Sequence, residues 1–408
     1  MQIKTEKNMT ENTKNPLRSS GIFHPALLAF LLFSCLVIVS CQQKDQPPPY
    51  HYSLPVADND GWETDALQAT DLNFAPLENM MNYLNNFADD NLHSILIISK
   101  GKLVFEEYFW GWTFNPTNPD NCRGNFILYD RNYADSLCSV TKSFTGALVG
   151  IAIDHRFIEN TNVRLFSFFQ DYSELNDNER KDRIEIRHLL ANTSGLDWPE
   201  WGSEPVDPNN PLSGLWKAAD PIRYVLDRPM VFEPGERFNY SGGNTNLLGE
   251  IVRRASGFNA DQFSRKYLFE SLGVSNLRWQ YFANGLVYTS GDLYLRPRDM
   301  AKFGQLFLDG GVWKGVRIIS KDYVSQSLSE AISPIPSNIA DAYGYTWWIE
   351  SLQITGHSVL TQSARGWGGQ YIFLVPEKKM VVVLTAGNYY TSDYSKYIFE
   401  KYILPAAY

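Results

Sequence analysis

The sequence holds only four cysteines and six histidines in 408 residues. The histidines (24, 51, 93, 155, 188 and 357) are scattered, and no metal-ligand spacing such as His-Glu-x-x-His occurs. This composition predicts no metal site and no cofactor. A glycine-rich phosphate loop is missing as well, as is any repeat of 20–50 residues. Basic residues are outnumbered, with 36 Lys and Arg against 45 Asp and Glu, a net charge of −9. Setting aside residues 1–40 leaves 32 against 43, or −11. A nucleic-acid partner normally demands a basic face, so none is expected. What remains is the composition of a folded chain, 44% hydrophobic and 20% charged. Its length suits two domains, or one with an insertion, and needs no disulfide to secure a core.

The apolar run Ala26–Val39 is short for a membrane span of ~20 residues but suits a signal-peptide core. It ends in Ile38-Val39-Ser40-Cys41, which resembles a bacterial lipobox. By that resemblance residues 1–40 are a signal peptide and Cys41 becomes the lipidated first residue. The chain is then an exported, membrane-anchored lipoprotein of the bacterial cell envelope. Residues 41–60, with Pro47-Pro48-Pro49, are expected as a tether. Export permits disulfides. With Cys41 lipidated, Cys122 and Cys138 can pair across 15 residues or remain two free thiols.

Apolar spacing predicts an amphipathic helix over 76–88, a hairpin over 94–99 and 103–108, a buried helix over 140–154 and a helix over 297–308. Strands are predicted over 343–349, 370–375 and 380–385, with a last helix over 394–403. Strands thus lie at both ends of a 61–408 domain, in 61–155 and 285–408, around a mostly helical part, 156–284. This implies an α+β sandwich: one antiparallel sheet built from both chain ends, flanked by helices.

Ser139-Val140-Thr141-Lys142 opens the 140–154 helix. Residues three apart share a helix face, so hydroxyl and amine can share a proton. A serine needs an adjacent base to act as nucleophile, and the start of a helix favours negative charge. A second Ser-x-x-Lys, Ser99–Lys102, ends on the hairpin turn and is set aside. In Cys138–Gly146, small residues follow Lys142 and permit close helix packing.

This stretch resembles the serine beta-lactamase and penicillin-binding-protein superfamily in its class C-like branch, which includes esterases, D-aminopeptidases and nylon-oligomer hydrolases. The segments Arg187–Leu196, Phe232–Gly243, Gly344–Trp348 and Gly366–Gln370 carry the same resemblance. It extends over roughly 62–405. It implies Ser139 as nucleophile, Lys142 as base and Tyr240 as proton relay, with oxyanion N–H groups on Ser139 and Trp367. The family's Tyr-x-Asn maps to Tyr240-Ser241-Gly242, so its asparagine is replaced by Gly242. Its Lys-Thr-Gly maps to Ala364-Arg365-Gly366, so the leading cation is missing. Strand alternation puts Arg365 on the face opposite Ala364. Gly242, Arg365, Gly366, Trp367 and Gly368 are the expected substrate-binding positions. His188 is expected to be structural. Trp198, Trp201 and Trp216 bracket a loop that either walls the site or is pinned by its own aromatics.

The resulting expectation is a lipid-anchored serine hydrolase that cleaves amides or esters through an acyl-enzyme, on small linear substrates or peptides. A beta-lactamase or D,D-peptidase is the enzymatic alternative, and a non-catalytic envelope binding protein the other. Oligomeric state is left open.

Overall fold

Alternation along the strand Leu92–Ser99 sets the layers. Ile95 and Ile97 join one core with Phe105, Phe373 and Val382, while Leu96 and Ile98 join another with Ile372, Val381 and Val383. Every residue of that strand is buried, so both faces of the sheet need cover. The computed structural model describes residues 49–408 except 87–90, 116, 119, 204, 206, 336–338 and 392–393. The signal peptide, Cys41, the first part of the tether and the last two residues of the helix expected over 76–88 lie outside the described residues.

Apart from the two-residue pair Val312–Trp313 and Val316–Arg317, the strands in chain order are β1 (Glu63–Thr64), β2 (Leu92–Ser99), β3 (Lys102–Tyr108), β4 (Trp110–Phe114), β5 (Arg123–Leu128), β6 (Asp135–Ser136), β7 (Tyr294–Leu295), β8 (Ala342–Tyr343), β9 (Trp348–Ile354), β10 (His357–Gly366), β11 (Gln370–Val375) and β12 (Met380–Ala386). The main sheet has eight strands in the order β1-β3-β2-β12-β11-β10-β9-β8. All neighbours are antiparallel except β1 and β3. The sheet is therefore assembled from both ends of the chain, in an α+β fold.

Helix α1 (Phe74–Asn86) covers one face with the C-terminal helical segment from Tyr394 to Ala406. Helices α2 (Thr141–Asp154), α3 (Gly242–Ser256) and α4 (Pro297–Leu308) cover the other. Helix α2 is buried from Thr141 to Ala152. A methyl group on Gly146 would sit 2.4 Å from Thr346 Oγ1, and one on Gly150 2.3 Å from the Tyr323 ring. The Tyr323 hydroxyl donates to the Gly146 carbonyl at 2.6 Å. The small residues after Lys142 thus carry the helix through the core. Phe144 stacks on Phe303 of α4 at 3.7 Å between centroids.

Several differences from the sequence reading have physical causes. Pro49–Tyr408 forms one compact unit, so the later part of the expected 41–60 tether is packed. The Tyr50 and Tyr52 rings lie against Phe74 and Phe105. Arg298 ties the same segment down through Glu106, Asp60 and the Val56 carbonyl. The strand expected over 343–349 breaks into β8 and β9 where Thr346 takes a left-handed φ of 64°. The ribbon β4–β5 and β10 lie outside the predicted strands: β4 turns Gly111 towards the body and Trp110 and Trp112 outward, and β10 buries Thr361, Gln362 and Ser363. The final helix includes a π-helical turn, Phe399–Ile403.

Candidate active site

Ser139 sits in a 3-10 turn, Cys138–Val140, that runs into α2. Cys138 adopts a left-handed φ of 43°. The Ser136 hydroxyl holds this turn by accepting from the Cys138 amide at 3.3 Å and donating to Asp292 at 2.7 Å. A non-glycine residue in that region stores strain, a feature common at functional sites. The strand wall closes in from the other side. A methyl group on Gly366 would lie 2.4 Å from the Leu137 carbonyl and 3.2 Å from the Ser139 amide nitrogen. Only glycine allows β10 to approach so near.

Lys142 follows one turn later, its side chain 2% exposed. Its Nζ donates to Ser139 Oγ at 2.8 Å and to the Ser290 carbonyl at 2.8 Å. Ser290 is fixed in turn by Asn246 of α3, whose amide donates to Ser290 Oγ at 2.8 Å and to the Gly242 carbonyl at 2.9 Å. The amine also lies 4.9 Å from the centroid of the Tyr240 ring. Tyr240 is buried and stacked against Trp201 and Trp348 at 5.2 and 5.5 Å. Ser139 and Lys142, neighbours on one helical turn, therefore meet Tyr240 from a distant part of the sequence.

Ser139 opens onto two lobes. One, of about 730 Å³, is lined by Glu200, Trp201, Tyr240, Trp348, Arg365 and Lys396, among others. The second, of about 450 Å³, is lined by Phe114, Trp216, Gln280, Tyr288, Asp292 and Tyr294, among others. Ser139, Pro205, Leu212 and Trp367 border both. Burial raises the Asp292 carboxyl above the usual range, with the Ser136 hydroxyl, Lys142 and Arg278 pulling the other way.

The expected substrate-binding residues divide. Gly366 and Trp367 line the first lobe. Arg365 lines it too, but its guanidinium is bonded to Glu350, Ser363 Oγ and the Ile339 carbonyl. Gly242 is buried at the start of α3, and its amide donates to Glu200 Oε2 at 2.6 Å. A methyl group there would meet that same oxygen at 3.2 Å. The space beside the family's asparagine position is thus occupied by Glu200, which also accepts from Trp198 Nε1 at 2.7 Å. Gly368 serves a turn with φ of 88°, and a methyl group on it would strike the Tyr389 ring at 2.5 Å. It does not line either lobe.

Of the two outcomes left open for Cys122 and Cys138, the structure has the unpaired one: both thiols are free and buried. Both belong to an apolar cluster with Tyr389. The Cys138 thiol is engaged with Ser136 Oγ at 3.7 Å, and burial raises the pKa of each. Of the three tryptophans, Trp201 and Trp216 line the lobes while Trp198 is core. His188 is structural: Nδ1 accepts from the Glu185 amide at 3.1 Å, and burial lowers its pKa to about 4. Sequence reasoning missed Ser290, Asn246, Glu200, Asp292 and Lys396. Ser290 contributes a carbonyl, which leaves no side-chain signature.

A sequence profile of the beta-lactamase family matches residues 93–399. The 6-aminohexanoate-dimer hydrolase of Paenarthrobacter ureafaciens is 25% identical over 306 residues, 70% of each chain. A family VIII carboxylesterase structure superposes with a TM-score of 0.61 at 15% identity, covering 81% of this chain and 97% of that one. A penicillin-binding protein homologue from Caulobacter crescentus gives 0.62 at 14%, covering 87% and 100%. At such identities the two structures speak for the fold alone. With the profile spanning most of the chain over this Ser, Lys and Tyr constellation, the chain belongs to the beta-lactamase family and is a serine hydrolase related to amidases and esterases.

Proposed function

We propose that this chain hydrolyses small linear amides or esters, including short peptides, through an acyl-enzyme on Ser139. It would act while held at a bacterial envelope membrane by lipid on Cys41. The observation that carries the chemistry is the contact of Lys142 Nζ with Ser139 Oγ and the Ser290 carbonyl, beside the Tyr240 ring.

With Nζ uncharged, one N–H stays on the Ser290 carbonyl and the lone pair receives the Ser139 proton as Oγ attacks the substrate carbonyl. The backbone N–H groups of Ser139 and Trp367 receive the developing oxyanion. Losing one such donor typically costs ~10²–10³ in rate. Tyr240 relays a proton to the departing amine or alcohol, leaving the acyl group as an ester of Ser139. Water then attacks that ester, gives up a proton through the same pair and releases the acid.

Two lobes meeting at Ser139 suit a linear substrate laid across the junction, acyl chain on one side and leaving group on the other. The 6-aminohexanoate-dimer hydrolase, a relative by sequence, is named for such a linear amide. Gly242, Ala364 and the pairing of Arg365 with Glu350 weigh against beta-lactams and D-Ala-D-Ala peptides, whose recognition in the family uses the asparagine and cation replaced here. A panel of p-nitrophenyl esters, short linear amides, D-amino-acid peptides and a chromogenic cephalosporin tests this, with Ser139→Ala as control. Turnover confined to linear esters and amides is expected. Rapid cephalosporin turnover would favour the beta-lactamase alternative. No turnover and no covalent adduct would favour a binding protein.

A further inference from the structure

We infer that the outer face of the β4–β5 ribbon is a membrane-docking surface. The register pairs Trp110 with Leu128 and Trp112 with Phe126. Alternation then places all four large side chains on one face. Trp110, Phe126 and Leu128 are 59%, 50% and 54% exposed. Their rings form a continuous surface: Trp110 stacks on Phe126 at 5.5 Å, and Phe126 contacts Trp112 at 5.0 Å. The back of the ribbon is seated on the body, because a methyl group on Gly111 would lie 2.8 Å from the His93 ring. Among the described residues the outward apolar face is thus left exposed, and contiguous exposed apolar surface of this kind marks an interaction site.

Lipid fits this face better than a second copy of the chain. Four partly exposed side chains offer on the order of 400 Å², about half of what each partner of a stable dimer buries. The Arg123 guanidinium, paired with the exposed Asp120 carboxylate at 3.6 Å, lies 5.8 Å from the Trp112 ring centroid. Tryptophan with a neighbouring cation suits the headgroup level of a bilayer. The chain's own connectivity points the same way. The Tyr50 hydroxyl donates to Glu107, three residues before Trp110. That is about 10 Å along a strand. From Cys41 to Tyr50 the chain can span at most ~30 Å. With about 10 Å more for the Tyr50 and Glu107 side chains that link the two segments, a lipid on Cys41 would keep the patch within about 50 Å of the membrane; this part of the inference rests on the lipid anchoring proposed above. Phe114, at the end of β4, lines the Asp292 lobe, so docking would hold that lobe's entrance near the bilayer.

A nitroxide on Leu128→Cys in the full chain with Cys35→Ser tests this: Cys122 and Cys138 are buried, and a parallel sample that keeps Leu128 subtracts any label carried by an unlipidated Cys41. Vesicles of phosphatidylethanolamine and phosphatidylglycerol are supplied in every sample but one vesicle-free control, and mass spectrometry of Cys41 is read in parallel. The label should be accessible to oxygen and shielded from a water-soluble nickel complex. Adding Trp110→Ser and Phe126→Ser should cut the shielded population on the order of tenfold. A water-accessible label on lipidated protein overturns docking and leaves the anchor standing. A shielded label without lipid on Cys41 supports docking and removes the anchor. A water-accessible label on unlipidated protein overturns both. Dipolar broadening between labels without vesicles assigns the face to a second copy and overturns the inference.

Discussion

The two walls of the crevice differ in what they hold. The helix wall brings Ser139, Lys142 and the Ser290 carbonyl within 2.8 Å contacts, braced by Asn246. The strand wall has no cation at Ala364, and the neighbouring Arg365 is tied to Glu350, which Lys396 also contacts. Proton transfer tolerates little displacement of its atoms, whereas the groups that greet the far end of a substrate can be exchanged. The chemistry thus resides on the helix wall, and the strand wall is where the residues differ from the family pattern.

The largest expected effect breaks the helix wall. Ser139→Ala should lower ester hydrolysis by about 10⁴–10⁶-fold, with Lys142→Met close behind, while thermal unfolding moves little. Steady-state rates alongside melting curves check this; a Ser139→Ala enzyme with substantial turnover would relocate the nucleophile. Next, Gly366→Ala presses a methyl group against the Leu137 carbonyl. A loss of about 10²-fold in kcat, with KM little changed and circular dichroism preserved, is expected. If kcat is unaltered, the strand wall does not set the oxyanion geometry.

Arg365→Ala sharpens the contrast. Removing one partner of a largely buried carboxylate that keeps Lys396 should cost about 2 kcal/mol in urea unfolding, with less than about a tenfold change in kcat/KM. A large rise in KM for carboxylate-bearing substrates at unchanged stability would make Arg365 a substrate ligand instead. The smallest effect lies beneath Tyr240, where the Asn192 side chain, four residues after His188, accepts from the Ser241 amide. His188 has a pKa of about 4 when folded against an ordinary 6.5. Its folded pKa is lowered, so the unfolded chain binds the extra proton first. The stabilisation is complete above about pH 6.5 and fades as pH falls towards 4. Between pH 7 and 5 this group should cost about 1.5 kcal/mol. Denaturation at both pH values should show the loss in the native chain and a flatter response in His188→Gln.

Legibility in the sequence followed the physics of each part. Ser139 and Lys142 could be read because a shared proton fixes residue types at i and i+3 on a helix. Tyr240 is one tyrosine of 23 and stood out only through resemblance. Glu200 lay inside a loop marked for its tryptophans, not its acid. The buried strands β2, β11 and β12 announced themselves as apolar runs. β10 did not, because Thr361, Gln362 and Ser363 are buried polar residues; Gln362 and Ser363 are paired on both sides, with β9 and β11. Tyr50 and Tyr52 looked like tether because their partners, Phe74 and Phe105, are remote in sequence.

Peptide-resolved mass spectrometry of enzyme quenched during turnover of p-nitrophenyl butyrate tests the central claim most directly. A butyryl group on Ser139, absent in Ser139→Ala, is the expected result. Steady turnover with an acyl group on any other residue, or with none trapped even in Tyr240→Phe, would contradict it.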